Sequence, residues 1–331
     1  MTIKEELIKL MDDALKLTTS DIHFVLKEDQ VLIQFRAGSL MLSHDYLTLA
    51  RYRQLLSYIR FHSALDLSHP KQPQSGVLSI EVDGGESTLS ARVSILPSSK
   101  FQSLVLRVIN SKMGKDIEEI PFFAHNTKAI KRIADNKAGL LLIGGPTGSG
   151  KTTTVFAIID YLKYELQKSI VTIEDPVEYQ QEDIVQMQVN ESSGMTYDVG
   201  IKEILRHDPD VIVIGEIRDP KTAQQAIRAA LTGHLVISTV HSKDNIGTLH
   251  RLLDLGINLI DLRHSIVALL NQRLVEHGKD YKALFEVCTS DNLENVFNQV
   301  QRGAIEDIPF TTLDEEFLRW RSQTGQKSIL P

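Results

Sequence analysis

The chain has 331 residues, 42% of them hydrophobic, and carries 36 Lys and Arg against 43 Asp and Glu for a net charge of −7. That length predicts two domains, and the acidic balance argues against broad nucleic-acid binding. No apolar run approaches the roughly 20 residues of a membrane span, while a single cysteine, Cys288, excludes both a disulfide framework and a cysteine zinc site.

The first residues predict an amphipathic helix to about Lys16, with Ile3, Leu7, Leu10, Met11 and Ala14 on one face. They lack a signal-peptide core, so a cytoplasmic location is expected. Asp21–Leu26 and Val31–Arg36 read as paired strands across a polar turn. A second helix is expected from about Asp45 to Phe61, then a loop rich in Pro, Gln and Ser from His69 to Gly76. Strands follow at Val77–Val82, Ser87–Ile95 and Leu104–Ile109, with Asp83-Gly84-Gly85 as a hairpin turn between the first two. Ser111–Pro121 is a charged connector of mixed sign. The expected domains are therefore a small α+β unit over 1–112, a linker over 113–121, a core over 122–275 and a mostly helical tail over 276–331.

Beyond Phe122 helices alternate with short, solidly apolar strands at Leu140–Ile143, Ile170–Ile173, Val211–Ile214 and Leu235–Val240. Strands apolar on both faces predict a parallel sheet covered by helices, and such sheets bind ligands beyond the carboxyl ends of their strands. The first strand runs into Gly145-Pro146-Thr147-Gly148-Ser149-Gly150-Lys151-Thr152 and then a helix from Thr153 to Leu166. This is the strand, G-x-x-x-x-G-K-T loop and helix of a P-loop. Its backbone N–H groups and helix N-terminus would cradle phosphates. Lys151 would reach the β- and γ-phosphates and Thr152 would hold Mg²⁺. Glu216, after the third strand, sits where a carboxylate can orient and deprotonate the attacking water. Glu174 and Glu178, after the second, could hold the metal through water, as could Glu216, or share the role of base. His241 ends the fourth strand and His234 precedes it.

Several of these stretches resemble the type II/type IV secretion-system ATPases. Leu205-Arg-His-Asp-Pro-Asp-Val-Ile-Val-Ile-Gly-Glu-Ile-Arg-Asp219 is similar to their signature, and Thr172-Ile-Glu-Asp-Pro-Val-Glu178 to their acidic box. Thr232-Gly-His-Leu-Val-Ile-Ser-Thr-Val-His241 resembles their histidine box, and Asn271-Gln-Arg-Leu-Val275 the motif that closes their core. Ser20-Asp-Ile-His23, Phe35–Leu40, Ala91–Pro97 and Val105–Val108 resemble their N-terminal domain. The resemblance implies a PAS-like α+β domain, a RecA-like P-loop ATPase core with a parallel sheet, and a helical tail. It also implies functional roles for His234 and His241, and places Arg92 and Arg107 where arginines approach the nucleotide, a task suited to a permanently charged fork. The loop that carries a Gln-Asp-Gly-Arg element in relatives here reads Pro73-Gln-Ser-Gly76.

Among family members the chain most resembles the short ATPases that assemble the competence pseudopilus for DNA uptake. Leu231 replaces the Glu that retraction motors usually carry before the Thr-Gly-His step. The resemblance implies a homo-oligomer, a six-membered ring working on a polytopic inner-membrane platform protein and through it on prepilins, with no direct nucleic-acid contact and peripheral attachment to the cytoplasmic face of the membrane. A pilus retraction ATPase, a nucleotide-dependent scaffold without catalysis, and a nucleic-acid translocase are the competing readings.

Overall fold

Alternating strands build one part of the molecule and solidly apolar strands the other. The computed structural model describes residues 1–331 except 18, 38–39, 64, 69–70, 83–86, 99–100, 110–114, 178, 180, 182, 191–192, 279, 304–307 and 326–331. It divides into a first unit of Met1–Met113 with Pro176–Gln180 and a second of Gly114–Asp175 with Gln181–Pro331.

The first unit runs α1 (Ile3–Lys16), β1 (Asp21–Lys27), β2 (Gln30–Ala37), β3 (Leu40–Thr48), α2 (Leu49–His62), β4 (Gln74–Val82), β5 (Ser87–Pro97) and β6 (Gln102–Ile109). The strands form an antiparallel sheet in the order β3-β2-β1-β6-β5-β4. Period-two patterning fixes its register. Phe35, Ile22, Leu106 and Val93 lie opposite one another across four strands and are buried with Leu7, Met11, Tyr52, Leu55 and Ile59 of the two helices. The expected helix from Asp45 is corrected: residues 45–48 belong to β3 and pair with β2. Thr48 is the residue that caps α2, its hydroxyl accepting the Arg51 N–H at 3.2 Å, so the helix starts at Leu49. β4 begins at Gln74, inside the expected loop. The Asp83-Gly84-Gly85 turn lies outside the described residues.

The second unit runs α3 (Ala124–Ala134), β7 (Gly139–Gly144), α4 (Lys151–Asp160) with a π turn over Tyr161–Glu165, β8 (Ile170–Glu174), β9 (Val185–Gln188), α5 (Tyr197–Ile204), β10 (Val211–Ile214), α6 (Pro220–Leu231), β11 (Leu235–Val240), α7 (Asn245–Asp254), α8 (Leu259–Ser265), β12 (Ile266–His277), β13 (Asp280–Thr289), α9 (Ser290–Arg302) and α10 (Leu313–Thr324). Its seven strands are ordered β13-β12-β7-β11-β10-β8-β9. All neighbours are parallel except the β12–β13 hairpin. Every residue of β7, β8, β10 and β11 is buried, which explains their unbroken apolar runs.

The sheet extends past Val275, so the expected mostly helical tail opens with a strand before its helices α9 and α10. β12 runs to His277 and β13 pairs with it over ten residues. Helix α9 contributes Leu293, Val296 and Phe297 to the main core, and α10 seals the far edge through Leu313 and Trp320, packed with Val275 and Leu284. Among the described residues no helix is long and apolar enough to cross a membrane.

Candidate active site

The parallel strands β7, β8, β10 and β11 all leave the sheet at one edge, so the residues that follow them converge there. After β7 the chain turns at Gly145 (φ +148°), where a Cβ would come within 2.5 Å of Ser149 Oγ and 2.8 Å of Gln272 O. It enters α4 through Gly150 (φ +84°), a left-handed N-cap with no side chain bonded to the first turn. The N–H groups of that turn therefore remain available to an anion. Lys151 is buried, with Nζ 2.8 Å from the carbonyl oxygens of Gly145 and Pro146, and burial holds its pKa below the usual lysine value against the pull of Glu216. Ser149 Oγ and Thr154 Oγ1 are buried without partners. An uncapped helix start, an unsatisfied hydroxyl and a lysine with one proton to spare fit a nucleotide's phosphates.

Thr152 and Thr153 stand half-buried in the same turn. Among the described residues no group of three or more His, Cys, Asp or Glu could hold a metal. A magnesium ion, however, needs only a hydroxyl or a carboxylate besides phosphate and water.

Glu216 follows β10 and keeps one-fifth of its side chain exposed. Its Oε1 accepts from Arg218, and its Oε2 lies 3.7 Å from His241 Nε2. The strand ends that carry this pair are tied together. Thr239 Oγ1 donates to Gly215 O at 2.7 Å, Ile217 N to Thr239 O at 3.0 Å and Gly215 N to Ile173 O at 2.8 Å. Burial and the charge of Lys151 push the His241 pKa down, against the pull of Glu216, and the lowered pKa favours the neutral imidazole. The Tyr197 phenol also faces this edge, 3.3 Å from where a Cβ on Gly215 would stand, its pKa raised by burial and then by Asp175. Glu174, at the end of β8, is 8% exposed and accepts from Thr172 Oγ1 at 2.6 Å and Gln186 Nε2 at 3.2 Å. With that arrangement a carboxylate, an imidazole and a lysine can surround the terminal phosphate of a bound nucleotide.

The other sequence expectations are not brought to this edge by the described residues. His234 is corrected. It precedes β11, its carbonyl accepting from Gly139 N at the start of β7, so it lies at the opposite end of the strand from His241, with Nδ1 3.3 Å from Ala229 O. Glu178 lies outside the described residues. Arg92 and Arg107 belong to the first unit, where cross-strand register sets Arg92, Arg107, Asp21 and Arg36 in one row. Arg107 Nε donates to Asp21 Oδ1 at 2.8 Å.

The sequence reading also passed over residues that the structure brings in. Arg218, which donates to Glu216, is one of them. Gln272 Nε2 donates to Ser149 O at 2.6 Å and braces the phosphate loop from β12, and Asn271 Nδ2 donates to Ser242 Oγ at 2.9 Å beside His241. The signal for both was their place in the Asn271–Val275 motif.

Comparison with known proteins agrees with this geometry. Residues 1–306 match the family described as Type II/IV secretion system protein. The chain is 40% identical over 267 residues to Competence protein ComGA of Bacillus subtilis (strain 168), covering 81% of this chain and 74% of that protein. It is 39% identical over 271 residues to Type II secretion system protein E of Dickeya dadantii (strain 3937), covering 80% of this chain and 53% of the relative. The structure of the pilus retraction motor PilT with bound ADP superposes with a TM-score of 0.74 at 25% identity, covering 98% of this chain and 94% of that one. The ATPase DotB of Legionella pneumophila shares the fold, with a TM-score of 0.69 at 22% identity over 97% of this chain and 88% of the other. The chain belongs to the type II/IV secretion system protein family and is an ATPase of the secretion and pilus motor class, built on a RecA-like core.

Proposed function

We propose that the chain is a cytoplasmic motor that assembles a competence pseudopilus, using ATP hydrolysed at the β7–β8–β10–β11 edge. The observation that carries the catalytic part is the tied placement of Glu216 and His241 on the same edge as the phosphate loop. In this reading residues 145–153 bind the phosphates and Thr152 holds Mg²⁺. Glu216 activates the attacking water, and His241 contacts the terminal phosphate through a neutral imidazole. Glu174 supports the metal through water, and Arg92 and Arg107 supply charge to the transferring phosphate oxygens. Glu178 keeps its proposed role beside Glu174.

The assembly role rests on the similarity to ComGA over four-fifths of the chain and on Leu231. The motor is proposed to work as a homo-oligomeric ring on the cytoplasmic face of the membrane, pushing a polytopic platform protein. Two measurements test this. Purified protein releases phosphate from ATP in the presence of Mg²⁺, and the Glu216→Gln variant binds nucleotide without release. In the host, deletion of the gene removes surface filaments and DNA uptake together. Filaments that accumulate instead identify a retraction motor.

A further inference from the structure

Glu286 is a carboxylate in the interior of the second unit, 3% exposed, on the strand at the edge of the sheet. Among the described residues no cation is paired with it. Both oxygens are spent on backbone N–H groups at the starts of two helices: Oε1 accepts from Asn245 N at 2.7 Å and Oε2 from Leu313 N at 3.2 Å. These are the first residues of α7 and α10, where unpaired N–H groups and the helix dipoles favour a negative charge. Each helix already has its own side-chain cap one residue earlier, Asp244 accepting from Gly247 N and Thr312 from Glu315 N. Capping alone therefore does not require Glu286. What it adds is a bond between helices that are otherwise far apart in the sequence.

The α7 end of this clamp lies next to the candidate active site. Only residues 241–244 separate the end of β11 from α7, and the first of them is His241. That short loop is anchored by Asn271 Nδ2 and Thr248 Oγ1 on Ser242 Oγ, at 2.9 and 2.7 Å, and by the fixed start of α7. Asn245, itself fully buried, adds side-chain bonds to Leu269 O and Glu286 O. A shift of α7 along its axis would move the loop and change the 3.7 Å approach of His241 to Glu216.

We infer that Glu286 is a positioning residue for ATP hydrolysis, holding the His241 loop in place through Asn245 and making that placement depend on α10. The inference rests on the proposed role of His241. Burial pushes the Glu286 pKa up and the two N–H bonds oppose that rise, and both bonds exist only while both helices stay docked. The C-terminal helix thereby becomes part of the catalytic apparatus without touching nucleotide, and whatever binds α10 gains a route to the rate of hydrolysis.

The test uses the full chain and steady-state phosphate release. Glu286→Gln leaves one acceptor and sets an amide against the other N–H. It is expected to lower kcat about tenfold with KM for ATP within about twofold, since the phosphate loop is untouched. In a His241→Ala background the same change is expected to cost less than about twofold, a non-additivity that general loss of stability would not produce.

Leu313→Pro removes the α10 N–H together with the buried leucine side chain. Proline is tolerated at the first helical position, and Thr312 is already extended (φ −75°, ψ 161°). With Leu313→Ala as the control for lost packing, the proline variant is expected to lose a further threefold or so in kcat. If Glu286→Gln does not fold, this pair decides: equal turnover in the two overturns the inference. Wild-type kcat in Glu286→Gln, or the same loss with and without His241, also overturns it while the active-site reading stands. A His241→Ala variant with unchanged turnover overturns that reading and the inference with it.

Discussion

The two sheets place their charged residues by different rules. In the second unit, parallel strands all end at one edge, so Lys151, Glu174, Glu216 and His241 meet there because each follows an apolar run. In the first unit, antiparallel strands leave at alternate ends, and charge gathers instead as a row across one face: Arg92, Arg107, Asp21 and Arg36, held side by side by register. An edge tolerates small errors in strand boundaries. A row does not, because a one-residue slip sends every side chain to the other face. The edge gathers the groups proposed to act on nucleotide, whereas the row is tied into its sheet by Asp21.

The largest expected effect lies at the edge. Lys151→Ala removes the only side-chain cation inside the phosphate loop, and turnover should fall about a thousandfold with nucleotide affinity falling alongside. Glu216→Gln keeps the shape of the side chain and removes its basicity. It should lose two to three orders of magnitude in kcat, roughly the range for a positioned base, while a fluorescent nucleotide still binds. Substantial turnover in the glutamine variant would move the catalytic centre away from β10.

The histidines test the edge rule within one strand. His241 and His234 bracket the six residues of β11, about 20 Å at the usual rise per residue. His241→Ala should lower kcat about tenfold. His234→Ala should leave it within about twofold and show only a small loss of stability, of the order of 1 kcal/mol, from the contact with Ala229 O. Equal kinetic losses in the two variants would break the distinction between the ends of the sheet.

Sequence order made the edge legible. A glycine-rich loop, a Gly-Glu step and a histidine, each behind an apolar strand, are enough to put Lys151, Glu216 and His241 at one sheet edge. What stayed hidden depended on distant partners. β3 is exposed along nearly all its length, so no burial period marks it, and only the Thr48 cap separates it from α2. β13 followed the last recognisable motif and read as tail, although its residues 283–286 are buried. Glu286 looks like any strand glutamate until Asn245 and Leu313, 41 and 27 residues away in either direction, are seen to donate to it. His234 differs for the opposite reason: a short motif names both histidines, and only the six-residue strand between them shows that they stand at opposite ends of β11.

The smallest effect sharpens the contrast from the side of the row. Asp21 is 8% exposed in its side chain against 63% for Arg107. Burial raises its pKa, yet the Arg107 bond and the Ser20 hydroxyl at 2.8 Å outweigh burial and leave it below the ordinary value of 3.8. A carboxyl depressed on folding stabilises the folded state above its unfolded pKa, and that stability is lost as pH falls through the folded value. Because Arg107 is largely solvated, the contribution is of the order of 1 kcal/mol. Asp21→Asn should therefore cost about that much in chemical denaturation at pH 7, and the gap between variant and parent should close as the pH is taken below 3.8. An equal gap at both pH values would mean that the row is held by packing of the strands rather than by the charge of Asp21, and Arg107 would then owe its position to register alone.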